Sequence, residues 1–273
     1  MQPKQEQPCY VCRAEMKPLF QLRVLGKYEV RYFHCERCGY ARTEEPYWLE
    51  EAYSDAIVRA DTGILQRNWA LSAKLACTLF LSFDPRATYL DVAGGYGLLT
   101  RLMRDYGFDF YWQDKFCENL IARGFEAERS STQFAAVSCF EAIEHTVNPV
   151  EFIRQTLDQH RCRNFIFSTV PYTGFRPEPN WGYLSPGTGQ HISFFQTRTL
   201  QTMAEQLRLH FYSNAGLHIF SEKRLRNAWM LPCLRTAVAI PLAELVRLRI
   251  GSRMIQDNER LMMAQAGNHE AAP

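Results

Sequence analysis

Two pairs of cysteines carry the first recognisable chemistry of the chain, Cys9-x-x-Cys12 and Cys35-x-x-Cys38. Each pair can wrap two thiolates around one tetrahedral ion, with the amides of the turn directed at sulfur. The spacing therefore predicts a zinc site formed by Cys9, Cys12, Cys35 and Cys38. Four thiolates leave no coordination position for water or substrate, so this zinc would be structural. Gly39 suits the sharp turn that follows Cys38. His34 could replace a thiolate, although neighbouring residues of an extended strand point to opposite faces. Buried or redox-active thiols are the alternative. Cys77, Cys117, Cys139, Cys162 and Cys233 are scattered and read as small core residues.

A second chemistry-bearing segment, YLDVAGGYG, puts Asp91 at the end of an apolar run and follows it with the small residues Ala93, Gly94, Gly95 and Gly97. Small residues let a backbone approach a ligand closely, and the start of a helix offers unpaired amides. Asp114 stands about 20 residues further on, where a carboxylate at a strand end accepts hydrogen bonds from both ribose hydroxyls of a nucleoside. Alanine at position 93 is tolerable if the turn needs no positive φ there. The G-x-G-x-x-G spacing of a dinucleotide site is absent, which weighs against hydride transfer.

The elements needed to position these residues are legible in the pattern. Extended segments flank Gly26-Lys27 in FQLRVLGKYEVRYF and predict a hairpin between the cysteine pairs. Apolar residues at steps of three and four then predict helices from Glu44 to about Phe83. Beyond Asp84-Pro85, strands ATYLDVA, DFYWQ, AAVSCF and NFIFSTV alternate with helices LLTRLMRDYG, FCENLIARG and PVEFIRQTL. Such alternation predicts an α/β fold, a Rossmann-like doubly wound and mostly parallel sheet. The expected organisation is a zinc-ribbon module over 1–42, a helical connector over 43–85, a nucleoside-binding domain over 86–220 and a helical tail over 221–273. Residues 171–189, rich in Pro, Gly and aromatics, form a long loop suited to covering a substrate. A last helix of the domain is expected near Thr199 to Leu207.

On these residues the chain resembles the class I S-adenosylmethionine-dependent methyltransferases. Their first motif, D-x-G-x-G-x-G, appears here as Asp91-Val92-Ala93-Gly94-Gly95-Tyr96-Gly97, and FEAIEHTVNP is similar to the family's segment after the fourth strand. The paired knuckles and the GTGQHISFF segment resemble a subgroup that modifies sugars in polysaccharide or secondary-metabolite pathways. The resemblance implies a methyltransferase that binds S-adenosylmethionine through Asp91, Ala93, Gly94, Gly95, Gly97, Asp114 and Phe140, and methylates a small molecule or saccharide.

Methyl transfer from a sulfonium is an in-line displacement, so the protein positions the two partners and takes up a proton from the acceptor. His191, just after the long loop, is the preferred base, and Gln190 beside it could orient the acceptor. His145 is the second candidate, and Glu144 could touch substrate or hold His145; Glu141 reads equally as a helix-start charge. For either histidine the alternative is a structural residue fixing a loop. Arg67 could pair with the donor carboxylate or lie on a solvated helix face. Trp181, Tyr183 and Tyr172 could stack on a sugar or base, or pack the loop.

The net charge of +2 lacks the basic excess of a polyanion binder. An RNA methyltransferase guided by the ribbon remains the rival reading, and a non-catalytic binding protein the third. The N-terminal stretch MQPKQEQPCY has no apolar core of a signal peptide, which predicts a cytoplasmic protein. Arg235, Pro232 and Pro241 interrupt the apolar tail AWMLPCLRTAVAIPLAELVRLRI and argue against a spanning helix. Packing onto the main domain or a partner is the expectation there. Peripheral contact through Arg247, Arg249 and Arg253 with anionic headgroups is the less favoured alternative.

Overall fold

In the computed structural model, the described residues are 8–54, 61–127, 133–214 and 216–270, the last four in their backbone. Residues 55–60 of the expected connector lie outside them. The elements run β1 (Lys17–Val24), β2 (Tyr28–His34), β3 (Ala41–Thr43), α1 (Leu49–Ala52), α2 (Ile64–Ser82), β4 (Thr88–Val92), α3 (Leu98–Asp105), β5 (Asp109–Gln113) and β6 (Ala136–Cys139). There follow α4 (Pro149–Gln159), β7 (Asn164–Ser168), β8 (Ser193–Phe194), α5 (Thr197–Gln206), β9 (His210–Asn214), β10 (Leu217–Ser221), α6 (Thr236–Ile250) and α7 (Met254–Glu270). The expected Rossmann-like α/β architecture is present, and helices close the chain. The chain divides into two compact units, Met1–Asp61 with Cys139–Arg224, and Thr62–Ser138 with Leu225–Pro273.

In the first unit, β1 and β2 form the anticipated antiparallel hairpin, and the four-stranded sheet has the order β1-β2-β3-β8. Gly26 turns it with φ 72°, a conformation that favours glycine. Val24, Val30, Tyr32, Trp48, Leu184, Ile192 and Phe194 bury one face of the sheet. Because β8 starts two residues after His191 and pairs with β3 through Ala41 and Arg42, the sheet fixes where that histidine emerges. The unit also contains β7, β10 and β9, paired antiparallel. The β9–β10 hairpin is not anticipated by the pattern above. Helix α4 begins as its sequence indicates: Asn148 Oδ1 accepts from Glu151 N–H at 3.2 Å, and Pro149 takes the first position.

In the second unit β4 pairs in parallel with β5 and with β6. The small residues Ala73, Ala76 and Cys77 of α2, and Ala239 and Ala243 of α6, are buried, and the Cys77 thiol donates to the Ala239 carbonyl at 3.4 Å. Close packing of this pair needs small side chains on both helices. A correction concerns FCENLIARG, read as a helix: no helix covers residues 116–124. Asn119 and Asp114 explain it. The Asn119 amide donates to the Ala122 carbonyl and its oxygen accepts from Ala122 N–H, while Asp114 takes the N–H groups of Phe116 and Cys117. Side chains that capture nearby backbone groups compete with the helical ladder.

Candidate functional site

In the second unit, the turn after β4 carries the glycine motif, and its residues serve two purposes. A Cβ on Gly94 would lie 2.7 Å from the Trp112 ring, and one on Gly97 would lie 2.6 Å from Asn119 Oδ1, so both glycines are required by the protein's own packing. Gly95 faces open space and has φ 53°. A ligand could approach the backbone at that position without obstruction. Ala93 departs from the expectation, since it adopts φ 55°, the left-handed region where a Cβ is unfavourable.

Two carboxylates flank the turn. Asp114 Oδ2 accepts from Gly95 N–H at 2.9 Å, while Oδ1 accepts from Phe116 and Cys117 at 2.7 and 2.9 Å. Asp114 thereby ties the end of β5 to the tip of the turn, and Oδ2, with one lone pair engaged, retains acceptor capacity. Asp91 is 1% exposed and accepts from Ser138 Oγ at 3.0 Å and Thr100 Oγ1 at 3.3 Å. Burial pushes its carboxyl up to about 7, against the lowering effect of those hydroxyls. Arg67, the candidate for a donor carboxylate, is on α2 in this same unit.

The first unit gathers the proton-transfer candidates. Glu144 and His145 form a short helical turn, Ile143–His145, fastened to the segment after His191 by Ile192 N–H donating to the Glu144 carbonyl at 2.9 Å. The His145 and His191 rings are 5.0 Å apart, and Tyr183 lies 4.6 Å from His191. His191 Nδ1 sits 2.6 Å from the Tyr183 carbonyl oxygen, which can only accept. Nδ1 thus carries a proton, and in the neutral ring the acceptor lone pair is on Nε2. His145 Nδ1 contacts the Tyr53 hydroxyl at 2.7 Å. Burial first, and His191 second, pull His145 down to about 3, so it is neutral in ordinary buffers. The Tyr183 hydroxyl donates to Glu144 Oε1.

Glu144, His145 and His191 could each offer one ligand atom to a cation, these atoms all lying within 4.8 Å. Tyr53 is separated from His145 by 92 residues, and local spacing carries no sign of the contact. Gln190, the candidate for orienting an acceptor, is engaged on one side by the fold. Its amide donates to the Ala52 carbonyl at 2.9 Å, and the side chain is buried. Tyr172 is likewise buried, with its hydroxyl on the Gly39 carbonyl and His34. Trp181 and Tyr183 are half-buried, with ring centroids 5.2 Å apart. Glu141 binds the Ser168 hydroxyl at 2.7 Å, and Phe140 stands half-buried immediately after β6.

The four N-terminal cysteines of this unit also converge. Cys9 and Cys38 sulfurs are 3.5 Å apart, those of Cys12 and Cys35 are 3.3 Å apart, and all four lie within 4.8 Å of one another. Tetrahedral bonds of about 2.3 Å to one zinc require sulfurs roughly 3.8 Å apart, which this cluster meets with slight expansion. Gly39 takes φ 76° in the second knuckle, as its position suggests. His34 turns away to Tyr172 and is not in the cluster.

The model of a family described as a methyltransferase domain matches residues 65–214. No curated protein matches the chain in sequence. Among solved structures it is similar to TnmH, at 14% identity and a TM-score of 0.45 over 66% of this chain and 62% of TnmH. It is also similar to magnesium protoporphyrin IX methyltransferase ChlM of Synechocystis PCC 6803 with bound SAH, at 13% identity and a TM-score of 0.42, over 66% and 93% of the two chains. Human N-acetylserotonin methyltransferase in complex with SAM gives 13% identity and a TM-score of 0.43, over 65% and 66%.

Proposed function

The chain belongs to the methyltransferase-domain family, and from that premise we propose that it transfers a methyl group from S-adenosylmethionine to a small-molecule or saccharide acceptor. The observation that carries the donor assignment is the bond from Gly95 N–H to Asp114 Oδ2, which joins an open glycine turn to a carboxylate at the neighbouring strand end. In this reading Asp114 accepts a ribose hydroxyl through Oδ2, and the turn from Asp91 through Ala93, Gly94, Gly95 and Gly97 follows the donor's backbone-facing edge. Phe140 contributes an apolar surface. The donor, when bound, supplies an electrophilic methyl group on sulfur.

His191 is the proposed base. Its Nδ1–H is committed to the Tyr183 carbonyl, which fixes the tautomer in which Nε2 is the basic nitrogen. His145, whose protonation burial opposes, is better suited to orienting a substrate, and Glu144 to holding Tyr183. Trp181 and Tyr183 offer rings on which a sugar face can rest. Cys9, Cys12, Cys35 and Cys38 would hold a structural zinc that fastens the knuckles of the first unit.

Calorimetric titration with S-adenosylmethionine tests the central assignment. Asp114→Ala should weaken binding by an amount equivalent to about 1.5–3 kcal/mol, the scale of a hydrogen bond to a charged group. Unchanged affinity in a folded variant would remove Asp114 from the donor site. Mass spectrometry of extracts from a deletion strain against its parent would then identify the acceptor.

A further inference from the structure

The helix α6 is apolar on both sides. Its small residues Ala239 and Ala243, with Val246, are buried, and its larger ones are turned outward. Val238, Leu242, Leu245 and Arg249 recur at steps of four, three and four, which places them on one stripe. Val238, Leu242 and Leu245 are 44%, 37% and 61% exposed, and the nearby Leu248 reaches 71%. Trp229, in the turn leading to the helix, is 75% exposed. Burying leucine rather than alanine would be the ordinary choice for a helix that ends its contacts at the protein core. A cluster of this kind marks an interaction surface.

The charges around the stripe decide its occupant. Arg226 and Arg235 flank Trp229 and the start of α6 and are exposed, as is Arg249 within the stripe. The acidic residue of α6, Glu244, bonds Arg247 at 2.7 Å and is neutralised. Arg253 faces inward, 3.4 Å from Asp109, and takes no part. A second copy docking through the same patch would bring its own set of these arginines to the interface. Among the described residues no helix is long and apolar enough to cross a membrane. We propose that the outward stripe of α6, with Trp229 and the arginines beside it, docks the protein onto the surface of an anionic bilayer. Leucines and a tryptophan set at headgroup depth, with guanidinium groups at the rim, combine the two attractions such binding needs.

Sedimentation of the full chain with lipid vesicles tests this. Wild-type protein should pellet with phosphatidylcholine vesicles containing phosphatidylglycerol, much less with phosphatidylcholine alone, and less again in high salt. The double variant L245E/L248E should lose at least about tenfold in vesicle affinity, the scale of two leucines withdrawn from an apolar phase. R235E/R249E should abolish the preference for anionic vesicles. Both changes lie on exposed positions, and circular dichroism with donor titration checks that the fold is retained. Wild-type protein left in the supernatant with anionic vesicles would overturn the proposal. So would pelleting that L245E/L248E does not reduce. Light scattering that shows a dimer split by L245E/L248E, without vesicle binding, would assign the face to a second copy instead.

Discussion

Asp257 of α7 receives two parallel hydrogen bonds from Arg104 of α3, each at 2.7 Å, with the two side chains 3% and 1% exposed. Arg104 also donates to Asp109 and to the Phe110 carbonyl, and its guanidinium lies 3.7 Å above the centre of the Phe125 ring. Arg101 adds a bond to Asp257 at 2.8 Å. Removing the carboxylate would take away the bidentate partner of a buried cation and leave it Asp109 and the Phe110 carbonyl. Asp257→Ala should therefore cost about 3–5 kcal/mol of stability, read from urea unfolding. A loss below about 1 kcal/mol would mean that α7 is held mainly by apolar contacts.

Ala93 holds a backbone conformation that costs an L-residue roughly 1–2 kcal/mol. Glycine would relieve that strain but loses more entropy on folding, about 0.4–1 kcal/mol. Ala93→Gly should then raise stability by up to about 1 kcal/mol in thermal unfolding. A destabilised variant would show that the methyl group makes packing contacts worth more than the strain.

Asp91 gives a pH dependence of defined sign. Its folded value is raised from 3.8 to about 7, first by burial, so the fold prefers the protonated carboxyl. The stability this contributes is complete below 3.8 and is lost as the pH rises through about 7. Asp91→Asn imitates the protonated form. The variant should melt higher than wild type at about pH 8 and about equally near pH 4. Equal melting at both values would place Asp91 in a more solvated setting than the hydrogen bonds from Ser138 and Thr100 indicate.

His191→Ala should lower turnover by about a hundredfold or more once the acceptor is known, with donor affinity nearly unchanged. The pH profile separates a base from a loop anchor. Losing the base removes the acidic limb of the profile, whereas losing an anchor scales the whole curve down and leaves its shape. Near-normal turnover would transfer the role to His145.

For the cysteine cluster, elemental analysis of freshly purified protein should find zinc in a ratio of about one per chain. Cys35→Ser should lose the metal and lower the melting temperature. Metal-free wild-type protein with an unchanged melting temperature would exclude the structural role.

Local rules reach the features whose causes are local. The paired cysteines, the hairpin about Gly26, the Asp91–Gly97 turn and the Asn148–Pro149 helix start all follow from residues within a few positions of one another. Gln190 shows where such rules stop. Beside a histidine in a loop it suggests substrate contact, yet it serves the Ala52 carbonyl, 138 residues away in sequence. The bond from Tyr183 to Glu144 and that from Arg104 to Asp257 are hidden for the same reason. A pattern of types and spacings records which groups need partners, and the fold chooses the partners. Ala93 is the opposite case, because the turn enforces a conformation that the residue itself disfavours.

The unit that contains the glycine turn is interrupted in sequence by residues 139–224. Arg104 finds its bidentate partner 153 positions downstream. During synthesis, at about 5–20 residues per second, β4, α3 and β5 would emerge many seconds before α6 and α7 exist to cover them. The nascent chain must keep its apolar helix faces from aggregating for that interval. Assembly of this unit is therefore coupled to the synthesis of α6 and α7, and a message truncated before Asp257 would release a polypeptide in which Arg104 lacks its bidentate partner.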